Sequence, residues 1–174
     1  MGTLAIDRSR TATTRNGVQL EFRAVTPEDE PLLEEFFDKV SDEDRRFRFL
    51  SAVGHVGHYL LEPMVTVDHF RTEGFLAFDR ETGILAGFGM LACDKTMDSA
   101  EVAISVRSDY RGRGVGWAML DLLADEADRR GAREVIAIED RENHAAIELE
   151  REKGFTPRAM DGDPRLVVLA KSFR

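Results

Sequence analysis

The stretch Arg111-Gly112-Arg113-Gly114-Val115-Gly116 combines glycines that open the backbone with arginines that carry positive charge. A glycine has no Cβ, so it turns sharply and lets a ligand approach the main chain. A strand-like run, Glu101-Val102-Ala103-Ile104-Ser105-Val106, enters the stretch, and an amphipathic run from Val115 to Arg130 leaves it. The order reads as strand, glycine loop, helix. A helix start presents unpaired N–H groups and the positive end of its dipole. The amides from Gly112 through Trp117 therefore form a seat for a diphosphate. Arg107, Arg111 and Arg113 add positive charge around it, and the sequence does not single out which of them meets a further phosphate.

Two other glycine-loop chemistries fit poorly. In a dinucleotide-binding fingerprint the third glycine would fall where Trp117 stands, and the loop would be the first strand-to-helix turn rather than one late in the chain. A Walker loop needs Gly-Lys-Ser/Thr, which the chain lacks. Glu101 is the candidate acid–base group. On an extended strand Val102, Ile104 and Val106 face one way, while Glu101, Ala103 and Ser105 face the other. A carboxylate on a face of small residues suits a substrate channel. Asn143 opens a later helix and is placed to cap it. His55 and His58 have a metal-like spacing but no cysteine or third histidine beside them, so no metal site is expected. Cys93 has no evident histidine partner and is not read as a nucleophile.

The chain has 174 residues, 43% of them hydrophobic and 33% charged, with a formal net charge of −9. That is the size of one domain with a full core. The acidic excess argues against nucleic acid as a partner, since nonspecific binding needs a basic footprint. A single cysteine excludes an internal disulfide. No apolar run is long enough to span a membrane, and no secretory signal is evident, so a cytoplasmic protein is expected.

The elements that must position these residues follow from periodicity. Residues 1–17 read as a flexible polar tail and 18–174 as a single domain. Val18 to Val25 alternates as a first strand. Thr26-Pro27 opens a helix carrying Leu32, Leu33, Phe36, Phe37 and Val40, and Ser41 to Asp44 opens another. A third helical piece falls within Val56 to Phe70, broken near Pro63. Gly74 to Asp79, Ile84 to Cys93 and Ser99 to Val106 are three meandering strands. The helix after the glycine loop ends at Gly131. A strand at Glu134 to Ile138, a helix at Asn143 to Lys153 and two closing strands complete an α+β domain on a mixed sheet.

With its elements in this order, the chain resembles the GNAT superfamily of acyl-CoA-dependent N-acetyltransferases. The resemblance rests on the Arg-x-x-Gly-x-Gly loop at Arg111 to Gly116, on Asn143, and on Gly154-Phe155. It implies a central mixed, mostly antiparallel sheet of about seven strands flanked by about four helices. It implies acetyl-CoA as co-substrate, held by Ile104, Ser105 and Val106 along the pantetheine arm, by Arg111 through Trp117 at the diphosphate, and by Asn143. A main-chain N–H near Ile104 would polarise the thioester carbonyl. Within the superfamily the chain looks most like the protein-lysine acetyltransferases, through Ser41-Asp42-Glu43-Asp44 with Arg46-Phe47, Val67-Asp68 and Ala100-Glu101-Val102-Ala103. In that subgroup the glutamate at the position of Glu101 is the base.

The base has a clear task. A free lysine has a pKa near ~10.4, so removing its proton at pH 7 costs about 4.6 kcal/mol. The expected acceptor is a protein lysine. A small amine, or a noncatalytic acyl-CoA sensor on the same fold, is the alternative. Many family members carry a tyrosine late on the Asn143 helix as acid for the leaving thiolate. Glu150 stands there in this chain, so the resemblance leaves that proton to water.

Overall fold

The computed structural model describes residues 10–173. The first part of the predicted tail, residues 1–9, lies outside the described residues. The elements run β1 (Arg10–Thr13), β2 (Gln19–Ala24), α1 (Glu30–Asp38), α2 (Asp42–Phe49), α3 (His58–Val65), β3 (Thr72–Asp79), β4 (Leu85–Cys93), β5 (Ser99–Val106), α4 (Val115–Arg129), β6 (Glu134–Asp140), α5 (His144–Glu152), β7 (Thr156–Ala159) and β8 (Leu166–Ser172), with single 3-10 turns at Pro27–Asp29 and Ser108–Tyr110. One eight-stranded sheet, ordered β1-β2-β3-β4-β5-β6-β8-β7, is antiparallel except at the parallel β5/β6 pair. This is the expected mixed, mostly antiparallel α+β architecture, with one strand more than periodicity gave and one helix more than the resemblance implied.

The added strand corrects the tail. Arg10 to Thr13 pairs antiparallel with Gln19 to Phe22, and Ala12 rests on the core. A tight turn closes the hairpin: Val18 N donates to Thr14 Oγ1 at 3.1 Å, and Gly17 adopts φ 86°. Four residues with one small apolar side chain carry no usable periodicity; only pairing to β2 makes them a strand. The first predicted helix begins one turn late because Asp29, accepting from Thr26 N at 2.8 Å, closes a 3-10 turn first. Ser41 caps α2 as read, its Oγ accepting from Asp44 N at 3.1 Å. Pro63 does not break α3, which runs on to Val65. The missing N–H falls near the helix end, where little ladder is left to lose.

Each face of the sheet carries its own core. On one, Phe36 and Phe37 of α1 and Leu61 and Met64 of α3 bury against Leu76 and Phe88. On the other, Met119, Leu120 and Leu123 of α4 bury against Leu20, Leu91 and Val102, with Phe155 and Leu169 extending the core toward α5. Glycines in β4 let α4 sit close. A Cβ at Gly87 would meet Met119 Sδ at 2.6 Å, and one at Gly89 would meet Leu123 Cδ1 at 3.0 Å. This contact fixes the start of α4, and with it the glycine loop.

The feature that makes a site is a parting of strands. β5 pairs with β4 along its whole length, Ala100 to Val106 opposite Cys93 to Gly87. It pairs with β6 only at Ser99 to Glu101, opposite Glu134 to Ile136. β6 continues to Asp140 on β8. Beyond Glu101 the two strands therefore diverge, and the main-chain groups of β5 that face β6 have no strand partner.

Candidate functional site

The wedge between β5 and β6 is a cavity of about 430 Å³. Its walls come from β5 (Glu101 to Val106), the glycine loop and the first turn of α4, the β6 residues Ile138 and Glu139, α5 from Asn143 to Glu150, and α2 through Asp44, Phe47 and Arg48. Of the residues singled out from sequence, Glu101, Ile104, Ser105, Val106, Arg111, Gly112, Gly114, Val115, Gly116, Trp117 and Asn143 all line it. Glu101 is the last β5 residue paired to β6, so it stands at the crotch of the wedge, exposed to solvent.

Gly112 and Gly114 take φ values of 74° and 87°, the left-handed region glycine favours. Among the described residues no backbone acceptor takes the amides of Gly112 to Trp117. They are left toward the cavity mouth, at the positive end of α4. Tyr110 ties this loop to the sheet: its hydroxyl donates to Asp79 Oδ2, at the end of β3, at 2.6 Å. Ser105 Oγ is buried with no hydrogen-bond partner. Free amides at the mouth and an orphaned buried hydroxyl along the wall fit an elongated phosphate-bearing ligand.

The arginines sort differently from the sequence expectation. Arg113 does not line the cavity; its guanidinium lies over the Tyr110 ring, 4.5 Å from the centroid. Arg107 is held by Asp109 at 2.8 Å. Arg111 lines the cavity but faces Asp44 at 3.3 Å. A second source of positive charge comes from the β1–β2 turn, which the sequence reading left in the tail. Arg15 and Asn16 line the mouth, and Arg15 stacks on Trp117 at 4.2 Å, with Lys153 on the same ring at 3.8 Å. Their distance in sequence hid this approach.

Asn143 does cap α5, its Oδ1 accepting from Ala146 N at 3.4 Å, while its Nδ2 donates to Glu139 Oε1 at 3.4 Å. Glu139 and Glu150, to which the sequence reading gave no role, also line the cavity. Burial raises the Glu139 carboxyl above its usual range, and burial with the Glu139 hydrogen bond raises Glu150 strongly. Across from them Arg48 is largely desolvated, which lowers its affinity for a proton, with Glu101 and Glu139 the acidic groups acting on it. Outside the cavity, His55 sits between Glu34 and Asp38 at 2.9 and 3.0 Å, and His58 meets Glu30 at 2.6 Å. These surface partners raise both imidazoles.

The Tyr110–Asp79 bond is a testable strut of the loop. Tyr110→Phe is expected to lower stability by about 1–2 kcal/mol at neutral pH, a fall in Tm of roughly 2–8 °C for a chain of this size. The tyrosine hydroxyl holds the Asp79 carboxyl below its ordinary range. That stability is present above the unfolded aspartate pKa of about 3.9 and is lost as pH falls through the lower folded value. The difference between wild type and variant, followed by thermal melts, should therefore narrow below about pH 4. A gap that stays constant to pH 2.5 would show that the bond is not what holds the loop.

A sequence model described as the acetyltransferase (GNAT) family matches residues 28–155. An acetyltransferase of Pseudomonas aeruginosa is 26% identical over 156 residues, covering 88% of this chain and 83% of its own length. The crystal structure of the GNAT domain of S. lividans PAT superposes with a TM-score of 0.87 at 24% identity, over 95% of this chain and 97% of that one. The spermidine N-acetyltransferase of Vibrio cholerae, solved with CoA and spermine, gives a TM-score of 0.71 at 17% identity over 88% of this chain and 95% of that one. Among the described residues no helix is long and apolar enough to cross a membrane.

Proposed function

The chain belongs to the acetyltransferase (GNAT) family, and from that premise we propose that it transfers the acetyl group of acetyl-CoA directly to the side-chain amine of a protein lysine. One observation carries the reading: a single cavity joins a mouth of free main-chain amides to a carboxylate at the crotch of two parting strands.

The residues divide the work along that cavity. The amides of Gly112 to Trp117 hold the diphosphate, with Arg111 beside them. Asn143, the main-chain groups of Ile104 and Val106 that face away from β4, and the buried Ser105 hydroxyl take the pantetheine arm. Acetyl-CoA supplies the activated acyl carbon. A main-chain N–H near Ile104 meets the oxygen that gains negative charge, which a dry, fixed dipole does better than water. Glu101, at the crotch and exposed to solvent, accepts the proton of the incoming amine, directly or through one water. Its exposed position suits an acceptor delivered on a protein surface.

A small-molecule amine is the second reading. What favours it is the acidic lining, Asp44, Glu101 and Glu139, which would attract a cationic amine of any size. One assay separates the readings. The protein is incubated with acetyl-CoA and either lysine-containing peptides or free amines, polyamines and amino acids, and free thiol is followed. Acceptor-dependent thiol release with the highest kcat/KM on lysine peptides is the expected result. Higher values on a free amine would move the acceptor to that class. Tight acetyl-CoA binding without turnover on any acceptor would make the chain a sensor instead.

A further inference from the structure

Glu150 is a carboxyl group in a position where a carboxylate is costly. It is 6% exposed, and it lines the cavity from α5. No N–H or O–H donor of the described residues reaches its buried Oε1. A second carboxyl, Glu139 on β6, lines the same cavity and acts on it. Two facing carboxyls hydrogen-bond only when one of them carries a proton, and like charges at that distance resist ionising together. Asn143 Nδ2, donating to Glu139, settles which of the two keeps the negative charge. Arg48 from α2 and Glu101 from β5 are the other charged groups that act across this part of the cavity. Arg48 makes no ion pair with Glu150, so nothing compensates an ionised Glu150 directly. The cavity wall thus carries one neutral carboxylic acid, held by its neighbour and opposite the β5 main chain.

We infer that Glu150 is a catalytic acid of the acetyl transfer, giving its proton to the sulfur of the departing coenzyme A while Glu139 positions it. The inference rests on the acetyltransferase reading. Protons and electrons balance without another reactant. The acceptor ammonium first loses one proton through Glu101 to solvent; the free amine nitrogen then bonds to the acyl carbon and its second proton passes to Glu101, while the carbon–sulfur bond breaks toward sulfur, which takes the Glu150 proton. Solvent then removes the Glu101 proton and restores the one on Glu150. The ionised Glu150 left after transfer faces Glu139, so reprotonation is strongly favoured. The thiol has a pKa of about 8.5, and burial keeps Glu150 protonated at neutral pH, so a proton is at hand as charge builds on sulfur. A carboxylate in water would be ionised already and useless for the task.

The test uses the full chain, acetyl-CoA and whichever amine supports thiol release. Glu150→Gln keeps the shape and has no proton to give. It should lower kcat by roughly 30-fold, below the usual general-acid effect because a thiolate leaves tolerably unaided. Calorimetry should give a Kd for coenzyme A within about threefold of wild type, and the loss of rate at high pH expected of the wild type as its acid ionises should be absent. Glu139→Gln removes the negative neighbour that positions the acid; it should lower kcat less than Glu150→Gln does while moving that alkaline limb to lower pH, a shift that a packing defect would not produce. An unchanged kcat in Glu150→Gln, or an unchanged alkaline limb in both variants, overturns the inference while the acetyltransferase reading stands. A wild-type chain that binds coenzyme A but releases thiol to no acceptor overturns both.

Discussion

Replacing Glu101 by glutamine is expected to lower kcat at pH 7 by about 10²–10⁴-fold, the range of a lost general base. The structure gives this change little else to do. Glu101 is exposed, no hydrogen bond fixes its carboxylate, and its backbone pairs with Ala92 and Ile136 whatever side chain it carries. Stability should therefore shift by no more than about 0.5 kcal/mol, the usual size for an exposed site. Coenzyme A affinity, read by calorimetry, should be unchanged because the seat lies at the other end of the cavity. The pH dependence is the sharper readout. An acceptor lysine reaches the site as ammonium, and without a base only the free amine already in solution reacts. That fraction rises tenfold per pH unit up to about pH 10.4, so the deficit of the variant should shrink by roughly that factor per unit. A Glu101→Gln chain with wild-type kcat, or a deficit flat from pH 7 to 9, would remove Glu101 from the proton path.

The parts of this site that were legible in the sequence are those set by short-range rules. Glycines followed by a helical period announced the loop and its free amides, because positive φ and a helix start are local properties. Alternation along Glu101 to Val106 put the glutamate on a strand, and Asn143 before an amphipathic run marked a cap. What was hidden depends on contacts between distant residues. Arg10 to Thr13 becomes a strand only against β2, and that pairing is what brings Arg15 to Trp117, about a hundred positions away in the chain. Gly87 and Gly89 lie unremarked within the strand read from Ile84 to Cys93, yet they are what admits Met119 and Leu123. Arg113 looked like a phosphate ligand and instead covers a tyrosine. Glu150 stands where the resemblance places a tyrosine, so the sequence left the thiolate proton to water; burial beside Glu139 is what raises its carboxyl. Charge state follows from environment, which only the fold supplies.

The loop carries the second large effect. Gly114→Val should raise the Kd for coenzyme A by more than about 100-fold, a loss of roughly 2.7 kcal/mol. Gly114 sits at φ 87°, where a β-branched residue is a clear outlier. A Cβ there would meet Thr14 Cβ at 2.9 Å and approach Arg15 N at 3.5 Å. Relieving that contact moves either the glycine loop or the β1–β2 turn, and both line the cavity mouth. The strain alone is worth about 1–3 kcal/mol, so Tm should fall by roughly 2–12 °C while the chain stays folded. Gly112 provides the control. It shares the positive φ, at 74°, but a Cβ there meets nothing within 4 Å. Gly112→Ala should therefore show the conformational cost without the collision, and a smaller loss of affinity. If Gly114→Val melts a few degrees early yet binds coenzyme A as tightly as wild type, the amides of Gly112 to Trp117 are not the diphosphate seat. The assignment of the cavity mouth would then have to move to Arg15, Lys153 and the face of Trp117.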